Sequence, residues 1–220
     1  MKSGVEKLLR GADIEVTDGF QHGVERYVEL VREVNAALSL VSAQDVALLD
    51  EVHIPDALSL APWVVRAAGD GGPHLDIGSG GGFPAIPLAL LFPARPTVLV
   101  ERSSRKAGFL QRVVGALKLP SVQVLEGEYP AVGGTVEFKC CTARAVEKPE
   151  RVQGAILQRL RPGAVFLCQS GKLAGVDPKM FHVEHIRDEW AERGLRRGSL
   201  AVVSREAFLR NKGDSIDDLD

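Results

Sequence analysis

Long apolar runs are missing from this sequence: none approaches the roughly 20 residues that a helix needs to cross a bilayer. The polar start, Met1 to Arg10, lacks the apolar stretch of a secretory leader, so the reading is a cytoplasmic chain. Excess charge is missing too. With 27 Lys and Arg against 29 Asp and Glu, the formal net charge is −2, which excludes a protein that holds nucleic acid by bulk positive charge and confines phosphate contacts to local clusters. Cysteine is scarce: Cys140, Cys141 and Cys168 fall in strand-like apolar runs and not at metal-ligand spacing, which points to small buried hydrophobes and to neither a disulfide nor a metal site. The sequence shows no internal repeat and no low-complexity linker. What is there is a chain of 220 residues, 45% hydrophobic, long enough to bury one core and to form one domain with a modest extension.

Apolar residues at three- and four-residue steps, Phe20, Val24, Tyr27, Val28, Val31, Val34 and Leu38, predict an amphipathic helix over Phe20–Leu40. Two shorter helices are expected at Ala43–Glu51 and Pro55–Ala68, the second opened by a proline whose missing N–H has no partner in a first turn. Residues 1–70 therefore read as a helical N-terminal extension. From His74 the pattern changes to short apolar runs alternating with helical segments. Strands are expected at His74–Ile77, Thr97–Glu101, Val122–Leu125, Phe138–Thr142 and Ala164–Gln169, with helices at Phe83–Leu91, Ser103–Leu117 and Pro149–Leu160. That alternation is the mark of βαβ units, so the fold class is α/β: a doubly wound, mostly parallel Rossmann-like sheet over residues 71–210. Val183–Ile186 and Leu200–Val203 read as two strands forming an antiparallel edge, and residues 211–220, with four Asp, as an acidic, disordered tail.

The segment His74-Leu-Asp-Ile-Gly-Ser-Gly-Gly-Gly-Phe83 puts glycines between a strand and a helix, where a parallel sheet exposes backbone N–H groups to a ligand. Position says more than the glycines, which also serve any tight turn. A dinucleotide fingerprint starting at Gly78 requires glycine where this chain has Phe83, so a nucleotide oxidoreductase fits poorly. Asp76, beside the loop, would repel a pyrophosphate but suits the cationic amino-acid end and sulfonium of S-adenosylmethionine. The candidate cofactor-binding residues here are Asp76, Gly78, Gly80 and Gly82.

Glu101 ends the next strand about twenty residues beyond the loop, where an acid can accept hydrogen bonds from both ribose hydroxyls of an adenosine; the alternative is an acid favoured near the N-terminus of a helix capped by Ser103. Tyr129, in Glu126-Gly-Glu-Tyr129 after the third strand, is a candidate neighbour of the adenine. Arg144, in Thr142-Ala-Arg-Ala-Val146, stands at the carboxyl end of a strand, on the rim where open sheets bind ligands; it reads equally as an arginine paired with a nearby acid. The pair in His182-Val-Glu-His185 departs from the metalloprotease pattern and reads as a strand.

Four segments closely resemble the RsmG (GidB) family: His53-Ile-Pro-Asp-Ala-Leu58, Asp76-Ile-Gly-Ser-Gly-Gly-Gly-Phe-Pro-Ala-Ile-Pro87, Lys106-Ala-Gly-Phe-Leu110 and Thr142-Ala-Arg-Ala-Val146. The resemblance spans roughly residues 25 to 205. It implies a methyltransferase that uses S-adenosylmethionine to place a methyl group on N7 of a guanine in 16S ribosomal RNA, with the small ribosomal subunit as partner; the sequence leaves the oligomeric state open, with a monomer favoured. By this resemblance Gly78 and Phe83 fall on cofactor-binding positions, Arg144 on the family's arginine, and His53 and Asp56 on its His-x-x-Asp-Ser-Leu signature, with Ala57 replacing the serine. The sequence departs from the family's pattern at Glu128-Tyr129-Pro130, Lys139, Ser170, Val34-Asn35 and Ser39-Leu40-Val41. The cofactor loop is intact while these adenine-side or RNA-side positions are altered, so a methyltransferase for a small molecule or protein, or a non-catalytic binding relative, stays open. Guanine N7 carries no proton, so no general base is assigned and rate is expected from alignment and water exclusion. Arg102, Arg105, Lys106, Arg144 and Lys172 are candidates for local phosphate contacts.

Overall fold

The computed structural model describes residues 3–69, 71–144, 149–169, 173 and 176–205. Ser170, Lys172 and the acidic tail lie outside the described residues. Seven strands form one sheet: β1 (His74–Ile77), β2 (Thr97–Glu101), β3 (Val122–Glu126), β4 (Cys140–Arg144), β5 (Val165–Gln169), β6 (His182–Ile186) and β7 (Leu200–Ser204), in the spatial order β3-β2-β1-β4-β5-β7-β6. Strands β1 to β5 run parallel. β7 runs antiparallel to both neighbours and sits between β5 and β6. The expected antiparallel ending is therefore present, with β6 as its outer strand among the described residues. The chain leaves β1 toward β2 on one side and returns to β4 on the other, which opens a crevice above the carboxyl ends of β1 and β4.

Side-chain alternation sorts the strands into two faces. Leu99, Cys140, Val165, Leu167, Leu200 and Val202 point into one core, while Leu75, Ile77, Val100, Cys141, Phe166 and Val203 point into the other. Helix α7 (Pro149–Arg159) covers the second face through Ile156 and Leu157. The first face is covered by α5 (Ala85–Leu91) and α6 (Ser104–Ala116) and, in the same apolar cluster, by the N-terminal helices. These are α1 (Ser3–Gly11), α2 (Asp18–Leu38), α3 (Ile54–Leu58) and α4 (Ala61–Ala68).

Local chemistry sets the bounds of these helices. Thr17 caps α2 by accepting from the Phe20 N–H, and Ser39 ends it in the left-handed region with its N–H on the Asn35 carbonyl. The Asn35 side chain then brackets the backbone N–H and carbonyl of Val41, fixing the path into the next segment. The expected helix at Ala43–Glu51 is a 3₁₀ turn (Asp45–Leu48) followed by a wider π turn (Leu49–His53), and the expected single helix at Pro55–Ala68 breaks at Ser59 and Leu60 into α3 and α4. Two elements had no expectation. Helix α1 buries Val5 and Leu9, one turn apart, and the short α8 (Glu189–Glu192) buries Trp190 behind an Asp188 cap.

Candidate active site

The glycine-rich loop leaves β1 at Gly78, and Gly78, Gly80 and Gly82 all hold positive φ, of 72°, 55° and 97°. A side chain at any of them would strain the backbone. The Gly78 and Ser79 N–H groups donate to the Val100 carbonyl, which ties the start of the loop to β2, and the Gly82 N–H donates to the Ser79 carbonyl at 2.7 Å. This turn uses the chain up to the cis Phe83–Pro84 bond, so α5 begins at Ala85 and not at Phe83.

A cavity of about 450 Å³ opens over this loop, a size usual for small-molecule sites. Gly78, Gly80, Phe83, Glu101, Tyr129 and Arg144 all line it, together with Ser79, Arg102, Ser103 and Lys106. Six of the eight residues singled out from the sequence thus converge from the ends of β1, β2, β3 and β4. The other two, Asp76 and Gly82, lie behind its wall. A Cβ at Gly82 would stand 2.7 Å from Ile86 Cγ1 and 3.0 Å from the Tyr27 hydroxyl, so this glycine allows close packing of loop on helix. A larger groove of about 1210 Å³ lies between α1, α4 and β6, away from the carboxyl ends of the parallel strands.

Glu101 is bonded on both carboxylate oxygens: Oε2 accepts from the Gly80 N–H at 2.7 Å and Oε1 from the Ser103 N–H at 2.8 Å. It thus joins the loop to the start of α6, where the Ser103 contact matches the reading of an acid beside a helix N-terminus. Ser103 is the N-cap by position, yet its hydroxyl makes no capping bond. Each carboxylate oxygen retains a second acceptor site for a ligand.

Asp76 belongs to a buried row on the first face of the sheet. Thr142, its partner across β1 and β4, donates its hydroxyl to Asp76 Oδ1, so the Thr142 oxygen must accept from His74, which carries its proton on Nε2. Burial pushes the Asp76 carboxyl up to about 6, against the pull of Thr142, and pushes His74 down to about 3. Asp76 Oδ2 has no hydrogen-bond partner among the described residues.

Tyr129 contributes to the wall and to the second core, and its buried hydroxyl lacks a hydrogen-bond partner among the described residues. Burial raises that phenol to about 12. Arg144 places its guanidinium 5.4 Å from the Phe83 ring centroid and donates to Asp56 Oδ2 at 3.2 Å. The paired-arginine reading therefore holds, and the same residue lines the cavity. Asp56 is almost fully buried and also accepts from the Arg197 N–H, while its carbonyl accepts from Gln169 Nε2. Burial raises the Asp56 carboxyl and lowers His53, whose ring lies 5.4 Å from Phe83. Sequence reasoning missed Tyr27, whose hydroxyl donates to the Gly81 carbonyl at 2.7 Å across 54 residues, and Arg196, which clamps Ser59 and Asp188. The apolar period of α2 marked Tyr27 as core, but no local signal named its partner.

A family model described as GidB, rRNA small subunit methyltransferase G, matches residues 21–183. The chain belongs to the GidB family. Among its relatives are proteins named ribosomal RNA small subunit methyltransferase G from Coxiella burnetii, 27% identical over 86% of this chain and 95% of that one, and from Stutzerimonas stutzeri, 34% identical over 68% and 69%. Solved structures share the fold at low identity. A mutant of MtNAS in complex with S-adenosylmethionine is 16% identical, covers 91% of this chain and 82% of that one, and superposes with a TM-score of 0.60. An rRNA methylase from Streptococcus thermophilus is 13% identical over 68% and 96%, with a TM-score of 0.53. Against the family's pattern, the substituted Glu128 is exposed and pairs with Arg151, and Lys139 is exposed, whereas Tyr129 is buried in the cavity wall.

Proposed function

We propose that this GidB-family chain binds S-adenosylmethionine over the carboxyl ends of β1, β2 and β3 and transfers its methyl group to N7 of a guanine in 16S ribosomal RNA. The observation that carries the proposal is the joint cradle of Glu101 and the glycine turn. A carboxylate with acceptor sites to spare is held at bonding distance from the backbone of a loop whose glycines admit close approach. The chemistry of the wall fits the cofactor. Glu101 offers acceptors for the ribose diol, Tyr129 and Val100 an apolar flank for the adenine, and Arg144 a cation for the amino-acid carboxylate at the β4 end. Asp76, one layer beneath the loop, places a carboxyl where a cationic ligand would favour its ionised form.

When bound, S-adenosylmethionine supplies an electrophilic methyl group on a sulfonium. The protein's part is to bind and orient. Guanine N7 attacks through an in-plane lone pair and has no proton to lose, so no side chain need act as a base. Arg144 is held at the rim by stacking over the buried Phe83 ring. Arg102 and Lys106 extend positive charge along the same rim, local in the way a net charge of −2 requires. The test is incubation with undermethylated small ribosomal subunits and labelled donor. Label is expected as 7-methylguanine in 16S RNA. Cofactor binding without RNA labelling would refute this acceptor, and failure to bind the cofactor would refute the whole reading.

A further inference from the structure

Two side chains from outside the glycine turn bond its backbone among the described residues: Glu101 holds the Gly80 N–H from β2, and Tyr27 holds the Gly81 carbonyl from α2. The second grip completes a lock on a single peptide unit. The Gly81 carbonyl accepts from Tyr27 while the N–H of the same peptide, that of Gly82, donates to Ser79 at 2.7 Å. A peptide bonded at both ends cannot flip without breaking two buried hydrogen bonds. Tyr27 itself has no freedom to follow such a flip. It is fully buried, and its ring packs on Phe83 at 5.1 Å between centroids. Burial also holds its phenol well above the ordinary value, so it stays a donor at any working pH.

We propose that Tyr27 is a positioning residue for the cofactor: its hydroxyl fixes the Gly81–Gly82 peptide and so keeps the cradle in its binding conformation. The inference rests on the cofactor reading above. It assigns the N-terminal helical layer a part in ligand affinity, since a side chain of α2 sets the shape of a loop on β1.

Tyr27→Phe keeps the ring and removes the bond. In the cofactor-free protein, amide hydrogen exchange across residues 78–83 is expected to accelerate. Calorimetry is expected to show affinity for S-adenosylhomocysteine reduced by about tenfold or more, the loss that follows from one buried acceptor left unpaired. Leu30→Ala, one turn along α2, loosens the same helix without touching Gly81 and serves as the control. It is expected to lower the melting temperature while affinity stays within about twofold. Two results would overturn the proposal: unchanged exchange and affinity in Tyr27→Phe, or an equal loss of affinity in Leu30→Ala. Should the unaltered chain fail to bind S-adenosylhomocysteine, the cofactor reading falls first, and the exchange measurement alone still decides whether Tyr27 locks the loop.

Discussion

Substituting Glu101 offers a sharp discrimination between an acid that serves a ligand only and one that also builds the loop. Its two oxygens already accept from the Gly80 and Ser103 N–H groups, and the residue is 6% exposed. Hydrogen bonds to a charged group contribute roughly 1.5–3 kcal/mol each, and a buried N–H left without an acceptor costs about 1–3 kcal/mol. Glu101→Ala removes both acceptors and any ribose contact. Glu101→Gln preserves the volume, yet it has one oxygen for two donors, and its amide must turn an N–H toward another N–H. Were the carboxylate used for the ribose alone, Gln would keep about half of the contact. With the loop depending on it as well, Gln is expected to bind as poorly as Ala. Losses of roughly 1.5–3 kcal/mol correspond to about ten- to 150-fold weaker binding. Titration calorimetry with S-adenosylhomocysteine, run beside thermal denaturation, reads both effects. A Gln variant within about threefold of the parent would refute the reasoning.

The buried row on β1 makes stability depend on pH in two opposed ways. Asp76 titrates at about 6 against an ordinary 3.8, so the folded chain keeps a proton that the unfolded chain releases, and stability falls as pH rises from about 4 to 6, by up to about 3 kcal/mol. Asp76→Asn is expected to remove this contribution, and urea midpoints that shift in parallel for both proteins between pH 4.5 and 7 would contradict it. His74 at about 3 works the other way: below its ordinary 6.5 the unfolded chain takes up a proton and the folded chain does not, so stability falls as pH drops from 6.5 toward 3. Between pH 4 and 6 the two contributions offset, so His74→Gln is expected to leave the Asp76 slope unopposed, with urea midpoints that rise as pH falls through this range. Two glycines give opposite expectations. Gly82→Ala, with φ at 97° and Ile86 Cγ1 at 2.7 Å, is expected to cost about 2 kcal/mol or more, whereas Gly108→Ala, inside α6 with no atom within 4 Å of the new Cβ, is expected to gain about 0.5–1 kcal/mol. Melting temperatures check both.

Strand and helix positions that rest on side-chain period were legible in the sequence. β1 and β2 have the expected bounds, and the other strands lie within two residues of theirs; β1, β2, β4 and β5, parallel and mostly buried, read as short apolar runs between turn residues. The loop was legible because its glycines stand between a strand and a helix. What could not be read was contact across long separations. Asp56 bonds residues 88 and 141 positions away, and Tyr27 one 54 positions away; neither partner leaves a local trace. The same limit applies to Asp76, whose bond to Thr142 crosses 66 residues to the neighbouring strand. Helix α1 escaped notice because Val5 and Leu9 are too few to show a period, and the 3₁₀ and π turns did because their hydrogen bonds depart from the helical repeat.

The seat of β7 bears on how the chain is made. Among the described residues it is the last strand in order of synthesis, yet it belongs inside the sheet, so a nascent chain presents β5 with a bare edge and β6 without any strand to join until Leu200–Ser204 arrive. A bare edge invites pairing with a neighbouring chain. Premature termination just before Leu200 would therefore yield an aggregation-prone product although the whole cofactor loop had been translated, while termination after Arg205 would spare both ladders of β7.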